Sequence, residues 1–221
     1  MSSQFGHAQH VAALRQAQEH VEAGRLAEAE AIYRVLVAIT PRFHPAFSAY
    51  GLFAIRAGRL AQAAELFEEA LSLAPNEVLY CLNYGEACRR LGRFAEAIEV
   101  GTRACGLAPN DIDAHFNLAL ACSDANLSVR VEAIYQKVLE LLEPAIAAGT
   151  ATAAMWERRA FVLQRLGRVE EARRSHEQAL ELEPAGSAAD NGPGGTAADF
   201  GWVQGADGWS APAAESAPDY A

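Results

Sequence analysis

The sequence predicts an all-α protein: an α-solenoid of five helix-turn-helix repeats, followed by a disordered tail. Three observations carry this reading. Gly-Arg pairs begin at Gly24, Gly58, Gly92 and Gly167, with spacings of 34, 34 and 75 residues. Prolines at Pro41, Pro75, Pro109 and Pro184 keep the same steps, and so do Ala29, Ala63, Ala97 and Ala172. Three residue types in one register, at a period of 34, mark a repeated pair of helices. The composition agrees, because alanine is abundant and aromatic residues make up only 8%. Alanine is the strongest helix former and lets helices approach closely.

The elements follow in order. Residues 1–9 form an N-terminal extension. Repeat one runs from His10 to Phe43, repeat two from His44 to Glu77 and repeat three from Val78 to Asp111. Each Gly falls where the chain must turn between two helices, and a tight turn there calls for a residue free of Cβ. Each Pro closes a second helix, because the residue before it avoids the helical region. The step of 75 is two repeats plus seven residues, and the seven lie in repeat four, residues 112–152. Seven residues are about two helical turns, so the insertion lengthens a helix while keeping its buried face. A long second helix is expected from Ser128 to Ala147, with Pro144 inside it as a kink or a local irregularity. Its added turns, Val129 to Ile134, are a candidate contact point. Repeat five spans 153–184. The tail, 185–221, is rich in Gly, Ala, Ser and Pro and has no helical period. By composition it is disordered.

These repeats resemble the tetratricopeptide-repeat family. The family pattern places a large residue at position 4, small ones at 8, 20 and 27, an aromatic at 24 and Pro at 32. Repeat two fits with Phe47, Gly51, Ala63, Phe67, Ala70 and Pro75. Repeat one supplies Ala17, Ala29, Tyr33 and Pro41; repeat three supplies Gly85, Ala97, Ala104 and Pro109. Repeat five supplies Trp156, Ala160, Ala172, Ala179 and Pro184, with His176 where an aromatic is usual. The resemblance implies a right-handed superhelix and a non-enzymatic protein-protein interaction module that holds a peptide or protein segment in its concave groove.

It also implies which residues line that groove. They are Ser48, Leu52, Ile55 and Arg56 in repeat two, Leu82, Asn83, Glu86, Arg89 and Arg90 in repeat three, and Phe116, Asn117 and Leu120 in repeat four. Asn83 and Asn117 share one position, and a side-chain amide offers both a donor and an acceptor to a peptide backbone. Arg56, Arg89 and Arg90 are candidate fork contacts for a partner carboxylate. Leu52, Ile55, Leu82, Phe116 and Leu120 give an apolar floor suited to hydrophobic anchors. The lysines of a two-carboxylate clamp are absent. Repeats one to three also resemble the type III secretion chaperones of this repeat class. The role expected is therefore adaptor or chaperone. The alternative is a regulatory or substrate-presenting subunit of a separate enzyme, such as a glycosyltransferase or sulfotransferase.

Other function classes find little support. Net charge is −10, without the basic surface a nucleic-acid binder needs. No GxSxG, Walker loop, HExxH or GxGxxG is present, so neither catalysis nor a cofactor is expected. His7 and His10 read as a solvated pair rather than metal ligands, and the cysteines as small buried apolar groups without zinc spacing. The start lacks a secretory signal and no apolar run reaches membrane length, which makes cytoplasmic the expected location. One Lys against many Arg suggests a GC-rich, bacterial coding sequence. The tail carries a motif, Phe200, Trp202, Trp209 and Tyr220, beside five acidic residues and no Lys or Arg. Whether it binds a partner, folds back on the array or is inert stays open. So does stacking of a second copy on the uncapped last repeat, which would give a homo-oligomer.

Overall fold

The computed structural model describes residues 2–39 and 42–182. Pro41, Pro184 and the tail with its aromatic residues lie outside the described residues. Ten helices and no strands are present among those described. They fall into two compact units, divided between Gly92 and Arg93.

The first unit holds α1 (Ser2–Glu22), α2 (Leu26–Ile39), α3 (His44–Arg56), α4 (Leu60–Leu73) and α5 (Val78–Arg90). The second holds α6 (Phe94–Leu107), α7 (Ile112–Asp124), α8 (Ser128–Ala147), α9 (Ala153–Arg165) and α10 (Val169–Leu182). The first helix starts well before His10, so part of the expected extension is helical.

Each turn is built as the glycines foretell. Gly24, Gly58, Gly92 and Gly167 all have φ between 72° and 75°. At Gly58 the amide donates to the carbonyl of Ile55 (2.9 Å) and the next amide, Arg59, reaches back to Ala54 (2.8 Å). This double closure is the Schellman motif, and it satisfies carbonyls that the helix end leaves open. The fourth turn has no glycine. Asn126, at φ 58°, stands 34 residues after Gly92 and closes the same bonds to Ser123 and Cys122. Asparagine is the side chain that tolerates this conformation best.

The small residues sit where helices meet. Ala17, Ala29, Ala63 and Ala104 are fully buried. In the first unit Ala17 and Ala29 join Tyr33, Leu36, Tyr50 and Phe53 in the core, where Tyr33 and Tyr50 stack at 5.7 Å. Burial pushes the Tyr33 hydroxyl up to about 12. In the second unit, Phe116, Leu120, Val138, Leu142, Val162 and Leu163 form the core.

Helix α8 has the span that the insertion predicts. Val131, Tyr135, Val138, Leu139 and Leu142 are buried at helical spacing along it. Of the added turns, Val129 is 89% exposed, whereas Val131 belongs to the core and Ile134 packs against it. The other residues of the added turns, Arg130, Glu132 and Ala133, are exposed like Val129, so the insertion presents one packed and one open face. The helix runs through Pro144 to Ala147, leaving the Glu140 carbonyl without its usual amide donor from residue 144.

Candidate functional site

Helices α3 and α5 carry the expected groove residues of the first unit. His44 at the start of α3 meets the Tyr80 hydroxyl on α5 at 2.7 Å. Burial, the larger influence, holds the His44 imidazole below its ordinary value, against a pull upward from Glu77. On α3, Ser48 is buried, Leu52 and Ile55 are half-buried and Arg56 is exposed. On α5, Leu82 and Asn83 are buried. Asn83 is 0% exposed, and neither its amide nitrogen nor its oxygen has a hydrogen-bond partner among the described residues. The Ser48 hydroxyl is in the same condition.

Glu86 changes the reading of the arginines. It is 1% exposed and takes both neighbours at once. Arg89 donates to its two oxygens from Nε (2.7 Å) and Nη2 (2.8 Å), and Arg90 donates from Nε (2.7 Å). The spacings i+3 and i+4 put all three on one helix face. Two guanidinium groups against one carboxylate leave one net positive charge. A partner's carboxylate would therefore meet arginines already engaged by Glu86, whereas Arg56 closes on no carboxylate among the described residues.

The second unit contributes α7, and its two apolar groove candidates, Phe116 and Leu120, lie in the core. Phe116 is 1% exposed, meets Phe161 of α9 edge-on at 5.5 Å and has the Arg158 guanidinium 5.7 Å from its ring centre. Leu120 belongs to the same core. These residues serve packing of α7 against its neighbours, because a first helix in a stack is covered on several sides. Asn117 is also buried. Arg158 pairs with Asp113, whose carboxyl burial nevertheless pushes up.

Several polar groups escaped the sequence reading. Glu30 of α2 accepts from Arg59 (2.7 Å) and from the Tyr50 hydroxyl (3.1 Å), and Gln62 of α4 donates to that hydroxyl (3.1 Å). The Arg59 hydrogen bond, the largest influence, holds the Glu30 carboxyl below its ordinary range. His7 and His10 are not a simple solvated pair. Both rings lie 5.6 Å from the Phe43 ring. No group of three or more His, Cys, Asp or Glu among the described residues is placed to hold a metal. Cys81, Cys88 and Cys122 are buried, no disulfide joins cysteines among the described residues, and burial pushes the Cys105 thiol up to about 11. Such thiols are inert.

Comparison with known proteins bears on the repeats themselves. Tetratricopeptide-repeat profiles match residues 51–112 and residues 153–185. The chain is a tetratricopeptide-repeat protein. Solved structures share its fold. MamA is 17% identical with a TM-score of 0.58, over 75% of this chain and 93% of MamA. The segment of MamA from residue 41 to its end, from Desulfovibrio magneticus RS-1, is 18% identical with a TM-score of 0.59, over 80% and 97%. YrrB, a tetratricopeptide-repeat protein with an unusual peptide-binding site, is 17% identical with a TM-score of 0.55, over 79% and 86%. At these identities the likeness is one of fold. No curated protein matches the chain in sequence. The repeat protein has no helix, among the described residues, long and apolar enough to cross a membrane.

Proposed function

We propose that this repeat protein is a protein-interaction module that binds a peptide segment of a partner across the inner faces of its first helices, as adaptor or chaperone. The observation that carries the reading is Asn83. Buried side-chain amides are almost always hydrogen-bonded, and each unmet group costs about 1–3 kcal/mol. An amide with both halves unmet is matched by a peptide backbone, which also offers one donor and one acceptor. Leu52 and Ile55 add half-buried apolar surface, and Arg56 adds an exposed positive charge. The peptide favoured is thus extended, with apolar side chains and an acidic residue. Engaging Asn83 requires the side chains over it to part. The likeness to YrrB supports the reading at the level of fold.

The test is selection of peptides from a random display library on the full chain. Affinities are then measured by calorimetry for wild type, Asn83→Ala and the exposed control Arg34→Ala. Loss of one backbone pairing, about 1.4 kcal/mol, corresponds to tenfold weaker binding. Tenfold loss in Asn83→Ala with no change in Arg34→Ala supports the site. Equal affinity in all three overturns it.

A further inference from the structure

An open cleft of about 370 Å³ lies between α9 and α10, lined by Trp156, Arg159, Glu171, Arg174, Ser175 and Glu177 among others. These helices form the last pair described, and the cleft departs from the repeat register. Seventy-five residues before Trp156, Arg159 and Ser175 stand Cys81, Tyr84 and Val100, all buried and apolar. One further step of 34 before Tyr84 stands Tyr50, also buried. The last pair replaces a buried tyrosine by Arg159 and a valine by serine. Arg159 donates to the Ser175 hydroxyl at 2.6 Å, and its guanidinium lies 5.7 Å from the Trp156 ring centre.

The charges of the cleft are unevenly satisfied. Glu171 is held by Arg168 at 2.7 Å and Glu177 by Arg173. Arg159 and Arg174 close on no carboxylate among the described residues, and Arg174 reaches only the Glu170 carbonyl at 3.3 Å. A half-buried indole and two such guanidinium groups suit an aromatic residue next to a carboxylate.

We propose that the cleft is the docking site of the chain's own segment Asp199–Trp202, with the Asp199 carboxylate on Arg159 and Arg174 and an aromatic ring against Trp156. The segment supplies the complementary charge, since everything after Pro184 carries acidic residues and no Lys or Arg. Its distance along the chain fits as well. Sixteen residues, 183–198, separate α10 from Asp199. A Gly- and Ala-rich linker of that length has a root-mean-square span of roughly 20–24 Å. The cleft residues on α10 lie between four and eleven residues before Leu182, which is about 6–17 Å along the helix axis. Docking therefore needs little stretching, and it is a function separate from the groove on the first helices.

The experiment uses the full chain with ¹⁵N-labelled tryptophan. The indole signals are assigned with Trp156→Phe, Trp202→Phe and Trp209→Phe, and helicity is checked by circular dichroism. The expected result is a Trp202 signal displaced from the free-indole position that returns to it in Arg159→Gln/Arg174→Gln. Asp199→Asn/Phe200→Ser, which leaves the array untouched, should release it too. A Trp202 signal at the free position in wild type overturns the proposal. So does a displaced signal that survives both variants, or a displacement lost on dilution, which would make the occupant's cleft that of a second copy.

Discussion

Replacing a glycine by alanine inside a helix ordinarily stabilises it, by about 0.5–1 kcal/mol. At Gly51 the structure predicts the opposite. A Cβ built there meets three atoms of the Phe67 ring, at 2.5, 2.8 and 2.9 Å. Phe67 is completely buried in α4, so its ring has nowhere to retreat. Overpacking of a tight core costs about 1–3 kcal/mol. Subtracting the helix gain leaves a net loss of up to about 2.5 kcal/mol for Gly51→Ala, with a centre a little above 1 kcal/mol. A loss near 1.5 kcal/mol moves the urea midpoint down by roughly 0.5–1.5 M at ordinary slopes. Gly106 supplies the control. It lies in the last turn of α6 with nothing within 4 Å of its missing Cβ, so Gly106→Ala should be neutral or stabilising. Phe67→Leu supplies the cause. It shortens the opposing side chain, so adding Gly51→Ala to it should cost markedly less than in wild type. The assay is urea denaturation followed by circular dichroism for the two glycine variants, the leucine variant and the double variant. A Gly51→Ala chain at least as stable as wild type refutes the reasoning. So does an unchanged cost in the leucine background, which would locate the penalty away from Phe67.

Other outcomes follow from the same coordinates. At Gly92 there is open space but φ is 75°, so Gly92→Ala should lose about 1–2 kcal/mol through backbone strain alone, and Asn126→Gly should gain a fraction of that, both read as urea midpoints. Glu86→Ala should destabilise by about 3–5 kcal/mol, because it leaves two partly covered guanidinium groups against each other. Arg90→Ala, which leaves Glu86 its other partner, should cost clearly less in the same denaturation assay. His44 sets a pH dependence: its folded value lies below the ordinary 6.5, so above that pH both states are neutral and stability is intact. As pH falls below 6.5 the unfolded chain takes up the proton first, and stability drops until the folded value is passed. Thermal melts of wild type between pH 8 and 5 should show this fall, and His44→Asn should flatten it.

The turns and helix pairs were legible because they rest on backbone demands that only one or two residue types meet. A Gly at φ near 75°, a Pro after a second helix and an Ala at a close crossing each leave one letter at a fixed step. The fourth turn shows the limit. Asn126 keeps the step of 34, but an asparagine in a loop carries no unique signal, and the position stands out only once its φ is known. The length of α8 followed from counting, since adding two turns preserves the face that Val131, Tyr135 and Val138 bury. The site was less legible. Register placed Asn83, Glu86, Arg89 and Arg90 on one helix, but it does not tell which carboxylate each guanidinium chooses. Glu86 is three residues from one arginine and four from the other, a pattern that also fits a solvated helix face. The web of Glu30, Tyr50, Arg59 and Gln62 joins three helices through single side chains, so no local spacing announces it.

The burial of Phe116 and Leu120 has a physical cause that bears on how repeats present a site. A groove position in a stacked helix is shared between two duties, facing the ligand and covering the next first helix. Which duty prevails depends on the size of the residue. A phenylalanine at position 5 of repeat four reaches across to Phe161 and becomes core. Serine occupies the same position in repeat two, Ser48, and cannot reach as far. Its hydroxyl stays without a partner among the described residues, as does the amide of Asn83. Ser48 and Asn83 thus keep polar atoms without partners among the described residues, whereas Phe116 and Leu120 are absorbed by packing and Leu52 and Ile55 stay half-buried. By the same logic the last pair, where Arg159 stands in a tyrosine's place, keeps polar groups that an interior pair would have buried under the next helix. In both units the candidate recognition surfaces lie where the stack declines to fill its own seats.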